Sequence, residues 1–186
     1  INAQTLFEQS LAGDNSVTGV ALNQFRILSM TYRDNPLFLA YQGACYTLIG
    51  RDAWMPWNKT SYTEKGLELI GKALQMLKPV HDKEKMRGVP ISVETRLIAV
   101  STFSDVPSSF NHFEKAKAVL NALFQSSPFR DSPAPIQARI YQQAAKIAQK
   151  ENKRDDEIKH LNKILEIDST GEFAKMARKR LRELKK

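Results

Sequence analysis

Apolar residues recur along this chain at intervals of three and four, so the pattern predicts helices separated by short polar breaks. The clearest case is 36–77. Pro36 opens a helix over 36–52, because its missing N–H and fixed φ suit the first helical position, and Asp34 or Asn35 can cap it. Leu39, Gly43, Tyr46 and Gly50 follow at spacings of four, three and four. Small residues then share a face with bulky ones, and another helix can come close there. The returning helix is expected from Ser61 to Leu77, with Glu64 completing a capping box and Leu67, Ile70, Leu74 and Leu77 along one face. Gly66 and Ala73 flank that stripe, and Pro79 stops it.

The remaining segments read the same way. A short helix over 4–11 ends near Gly13, and one over about 17–33 carries Ala21, Phe25, Leu28 and Tyr32 on one face. Residues 78–91 mix charges of both signs with Gly88 and Pro90, which predicts a solvated loop. Ser92 is expected to cap a helix to about 104 with Val93, Leu97, Val100 and Phe103 inward, and Asn111 to cap one over 112–126 carrying Phe113, Ala116, Leu120, Leu123 and Phe124. A third pair follows from 132–135, with Ile136, Ile140, Ala144 and Ile147 on its first helix. Asp155 or Asp156 caps Ile158, Leu161 and Leu165 on its second. Ser169 or Thr170 then caps a last helix bearing Phe173, Ala177, Leu181 and Leu184. The expected organisation is one helical domain over 1–186. It holds N-terminal helices over 1–35, pairs over 36–77 and 92–127 around the charged loop, and basic C-terminal helices over 134–186.

Leu39, Gly43 and Tyr46 in a first helix, Gly66 and Ala73 flanking a second, and Pro79 just beyond it resemble the tetratricopeptide repeat. Ala116, Leu120 and Pro128 stand at the spacings of that repeat's second helix. The resemblance implies an all-α fold, an α-α superhelix (TPR-like solenoid) of about three antiparallel helix pairs, right-handed, with a C-terminal capping helix. It also implies a non-catalytic scaffold that holds a protein or peptide segment on a concave surface lined by the first helix of each pair. Gln42, Tyr46 and Arg96 are the candidate lining residues, with Trp54 and Trp57 at the rim. Gly43, Asp52 with Trp54, Lys59 with Tyr62, and Arg96 with Leu97 also resemble, in this order, a group of bacterial repeat-like proteins without an assigned activity.

Residues 51–60 depart from the repeat, whose helices turn within a few residues. This stretch holds both tryptophans, and two roles are open to them. They could fold over the end of the hairpin and seal the core, or they could present aromatic surface to a partner.

Composition narrows the classes. The chain has 186 residues, 42% hydrophobic and 26% charged, which is ordinary for a globular protein and excludes a wholly disordered one. No apolar run approaches the length that crosses a bilayer. Residues 139–186 hold 14 Lys and Arg against 8 Asp and Glu, so six of the eight net positive charges lie there. Lys175, Arg178, Lys179, Arg182 and Lys186 share one side of the last helix, a solvated face or a patch for nucleic acid or an anionic surface. Nucleic-acid binding would want aromatics among those cations, and Phe173 is assigned to the core. There is no Gly-rich phosphate loop, G-x-S-x-G elbow or H-E-x-x-H, so no catalytic residue, cofactor or metal ligand is assigned. A helical subunit of an enzyme complex remains a rival reading. His81, His112 and His160 are read as scattered surface residues, and Cys45 as a small buried one. The chain opens on Ile1, as removal of an export signal or simple truncation would each give. An exported, periplasmic protein and a cytoplasmic one are both compatible.

Overall fold

A computed structural model describes residues 2–185, and these are almost entirely helical. In chain order the α-helices are α1 Ala3–Leu11, α2 Thr18–Thr31, α3 Pro36–Asp52, α4 Pro56–Gln75, α5 Val80–Lys83, α6 Ile91–Asp105, α7 Phe113–Gln125, α8 Ser127–Arg130, α9 Ala134–Lys150, α10 Arg154–Ile167 and α11 Glu172–Leu184. Neighbours in sequence pack as pairs: α1 on α2, α3 on α4, α6 on α7 and α9 on α10, with α11 closing the end against α10 and α9. Links of a few residues turn the chain back on itself within each pair. Among the described residues no helix is long and apolar enough to cross a membrane.

Two helices carry the middle of the molecule. α3 contacts α1, α2, α4 and α6, and its residues are buried on nearly every side. α6 is the same, with Ile91, Val93, Leu97, Ile98, Val100 and Phe103 pointing in different directions and all buried. A helix that is apolar all round belongs inside. Phe7 of α1 and Phe25 of α2 close on Tyr41 of α3, Phe25 stacking at 4.6 Å and Phe7 meeting the ring edge-on at 5.1 Å. Tyr32, expected inward, is exposed just past the end of α2, its ring tilted 5.6 Å from that of Phe38.

The approach of α3 to α4 depends on the small residues that the sequence places there. A Cβ on Gly43 would lie 2.6 Å from the Gly66 carbonyl oxygen, and one on Gly66 would collide with the Gly43 carbonyl. Neither position admits a side chain at this separation.

Several local expectations are corrected. Asn35 does cap α3, accepting the Leu37 N–H at 3.0 Å. The link to α4, however, is only 53–55, because Pro56 is a helix-starting proline with Trp57 in the first turn behind it. Ser61 and Glu64 therefore lie inside the helix, and the long connection expected over 51–60 is absent from the described residues. Ser92 is inside α6 and its buried hydroxyl has no partner among the described residues, the chain entering that helix through Pro90 instead. Asn111 adopts a left-handed conformation (φ 54°), ending the turn before α7 rather than capping it. Asp155 and Asp156 lie in the first turn of α10, where they face the positive helix end without capping it. Before α11 it is Asp168 that accepts the Thr170 and Gly171 N–H groups, not Ser169 or Thr170 that caps.

The charged residues of 78–91 are exposed as expected, but the segment carries a short helix and a hairpin and is not an irregular loop. After α5 the chain forms a two-residue hairpin in which Met86 pairs with Val89. Arg87 (φ 51°) and Gly88 (φ 80°) occupy the two left-handed positions that such a turn requires. His81 is buried. Its Nδ1 accepts the Lys78 N–H at 3.0 Å, which leaves the proton on Nε2 to donate to the Asp34 carbonyl at 3.2 Å. The imidazole thus ties α5 to the α2–α3 link.

The core is a main cluster from α1 to α9 and a smaller one between α9, α10 and α11, with Tyr141 packed against both. Glu157 of α10, buried, accepts two hydrogen bonds from Arg180 of α11 at 2.6 and 3.4 Å and pins the last helix in place.

Candidate functional site

The residues expected to line one concave surface are each engaged by a different neighbour. Gln42 is 9% exposed and its Oε1 accepts the Ser29 hydroxyl at 2.8 Å, so α2 covers it and it cannot line a groove. Tyr46 is half-buried and stacks on Tyr62 of α4 at 6.3 Å, with the Lys65 ammonium 4.4 Å from its ring centroid. Arg96 donates to the Ser92 carbonyl and lies 3.9 Å from Asp82, which holds it toward α5.

The tryptophans do not seal the core. Trp54 is 89% exposed and Trp57 66%, with Met55 between them also exposed. The cause is local: a three-residue link leaves no chain to fold back, and Pro56 fixes the direction in which α4 leaves. Trp54, Met55 and Trp57 thus expose apolar surface close together in the chain, and tryptophan is enriched at interfaces.

Beside this aromatic tip lies a cavity of about 320 Å³. It opens where the carboxyl ends of α1, α3 and α6 meet the start of α4, and the link after α6 folds over it. Phe7, Leu11, Leu48, Val106, Pro107 and Phe110 make its apolar wall. Thr47, Thr63, Ser101 and Thr102 add hydroxyls, and Arg51, Lys59 and Asp105 stand among its lining charges. The charges are largely answered. Arg51 forms a forked pair with Asp52, both bonds 2.7 Å, and donates to the Ser10 carbonyl at 3.2 Å; Asp105 lies 3.6 Å from Lys150. The pairing holds the Asp52 carboxyl below the usual carboxylate range and raises Arg51. Sequence reasoning missed this cavity because four separate stretches build it. The one linear signal is a set of hydroxyl residues, Thr47, Thr63 and Ser101, on otherwise buried helix faces.

On α11, Lys175, Arg178, Lys179 and Arg182 are exposed, and Arg178 donates back to the Ser169 carbonyl; Lys186 lies outside the described residues. The adjacent Arg180 belongs to the core pairing with Glu157 and not to the free face. Cys45 is fully buried, and burial pushes its thiol up to about 12, so no thiolate is present at neutral pH. The histidines are not the surface residues expected. His81 is buried, His112 packs on Phe103, and His160 stacks on Phe124 at 5.9 Å. Among the described residues no three His, Cys, Asp or Glu side chains converge as metal ligands would. Comparison of the chain with protein-family models, curated proteins and solved structures gives no match.

Proposed function

We propose that the chain is a non-catalytic interaction module, an α-α superhelix in the manner of tetratricopeptide repeats, whose contact surface is the aromatic tip rather than a concave groove. One observation carries the reading: Trp54 and Trp57 are both exposed at the three-residue turn and first turn of α4 that join α3 to α4. Tryptophan on a preorganised support contributes much contact area at little ordering cost. Gln42 and Arg96 have no part in this surface, and Tyr46 is engaged with Tyr62 of α4. The basic face of α11 is the competing surface, for nucleic acid or an anionic partner.

Affinity capture from lysate at low and high salt discriminates the two. The intact chain is compared with Trp54→Ala/Trp57→Ala and with Arg178→Ala/Lys179→Ala/Arg182→Ala. The expected result is a discrete bound protein that survives high salt and the triple change and is lost with the tryptophans. Capture that survives loss of the tryptophans but disappears with salt and with the triple change transfers the function to α11.

A further inference from the structure

We propose that the cavity between α1, α3, α4 and α6 is a binding site for a small amphipathic carboxylate, a compact apolar body with one anionic head. The inference does not depend on what the aromatic tip meets, and it goes beyond that reading by giving the chain a ligand.

The space is built into the helices. Protein interiors leave few voids larger than a water molecule, whereas about 320 Å³ lies within the range of small-molecule sites. Small residues keep it open on three helices: Ala44, Thr47 and Gly50 on α3, Thr63 on α4, Ser101 and Thr102 on α6. A Cβ on Gly50 would lie 2.5 Å from the Thr63 Oγ1, so only glycine lets that hydroxyl stand where it does.

The polar groups of the lining are biased toward donors. Carbonyls at the helix ends are already answered: Arg51 donates to that of Ser10 at 3.2 Å, Lys150 to that of Ser104, and the Ala53 N–H to that of Gly50. Among the charges, Arg51 is matched by Asp52 and Asp105 by Lys150. Lys59 is the remainder. Its charge helps to lower the Asp52 carboxyl, but it forms no ion pair among the described residues. Arg51, Asp52 and Lys59 together therefore carry one net positive charge. Arg51 engages its partners through Nε and Nη2, which leaves the Nη1 protons, and the Thr63 hydroxyl has no partner among the described residues although Thr63 is only 5% exposed.

The chemistry of the ligand follows from this balance. Phe7, Leu11, Leu48, Val106 and Phe110 offer an apolar body the burial that drives it out of water. A carboxylate head only accepts hydrogen bonds, and those to a guanidinium or an ammonium are the strong ones. An ammonium head would meet the unmatched Lys59, and a neutral head would leave that charge uncompensated.

Isothermal titration calorimetry of the full chain with decanoate and with 2-naphthoate tests the site, the matching alcohols and amines serving as uncharged and cationic counterparts. At least one carboxylate is expected to bind one to one, about tenfold or more tighter than its counterparts. Decanoate alone identifies an alkyl body and 2-naphthoate alone a ring. Lys59→Gln, at an exposed position, should weaken the carboxylate about tenfold, the worth of one hydrogen bond to a charged group, and leave the alcohol unchanged. Ser101→Phe, which fills the space, should abolish binding; if its thermal melt shows loss of the fold, Val106→Phe on the link after α6 takes its place. The proposal is overturned if neither carboxylate binds at millimolar concentration, if the matching amine binds as tightly, or if Lys59→Gln leaves the carboxylate unchanged. Binding that survives the filled cavity overturns it too, because the ligand then sits elsewhere. Tryptophan-dependent capture of a partner is a separate readout, so failure here leaves the reading of the tip standing.

Discussion

Glu94, at 5% exposure, has given up nearly all of its water and regains hydrogen bonds through one oxygen only. Tyr41 donates to that Oε1 at 2.6 Å and Arg87 at 2.8 Å, while Oε2 has no partner among the described residues. Burial, then the adjacent carboxylate, raises the Tyr41 hydroxyl well above its ordinary value, so it remains a donor at any pH at which the protein folds. The two donors are unequal. Tyr41 is buried, whereas the Arg87 side chain is nearly half exposed and its attraction is screened by water. Tyr41→Phe is therefore expected to cost about 1.5–3 kcal/mol, as loss of a hydrogen bond to a charged group does. Arg87→Ala should cost no more than about 1 kcal/mol. Urea denaturation of the two variants beside the parent checks the order, and a cheaper Tyr41→Phe would mean that the carboxylate is held chiefly by the hairpin.

At the scale of the element, the two glycines of α4 separate backbone preference from packing. Gly66 lies against the Gly43 carbonyl, while a Cβ on Gly71 would meet nothing within 4 Å. Alanine is the better helix former by about 1 kcal/mol, so Gly71→Ala should stabilise by roughly that amount. Gly66→Ala must push α3 and α4 apart and should destabilise by about 1–3 kcal/mol despite the same preference. Thermal melts that move in opposite directions support the close crossing; a neutral or stabilising Gly66→Ala would rule it out. This crossing was legible in the sequence, since the spacing of Gly43, Tyr46, Gly66 and Ala73 depends only on two helices touching. Helix identity was legible throughout for a similar reason: the three-and-four period survives wherever one face is buried. What failed was punctuation. Pro56, Ser92 and Asn111 each have two readings, and the choice depends on neighbours far along the chain. The hairpin over 85–90 was hidden by its charges, which face water while His81, Val89 and Pro90 face inward. The cavity left no more than the hydroxyls of Thr47, Thr63 and Ser101 as a linear trace, because it is assembled from α1, α3, α4, α6 and the link after α6.

For the whole molecule, the decisive place is the junction between the main core and the small C-terminal one. Tyr141 belongs to both, and His160 of α10 sits against it and against Phe124 of α7. His160 is half-buried and its Nδ1 is buried without a partner among the described residues. Burial lowers its pKa below the ordinary value; the nearby Asp156 opposes that shift and Lys159 reinforces it. The sign follows from the proton count. Above about pH 6.5 the imidazole is neutral in both folded and unfolded chains, and stability does not depend on it. As pH falls through that value the unfolded chain takes up the proton first, so stability declines until the folded-state pKa is passed. The decline cannot exceed about 1.4 kcal/mol per pH unit for one group. It lies above the range where Asp52 and Glu151, whose carboxyls are lowered by their cationic partners, become protonated and lose their own contribution. His160→Phe keeps an aromatic ring in the stack and removes the titration. Denaturation at pH 7.5 and 5.5 should show the parent losing more stability than the variant over that interval, with the two closest at the higher pH. Equal losses would mean that α10 and α11 are joined to the rest by apolar contact alone, and that the charge state of this junction has no part in holding the C-terminal helices to the stack.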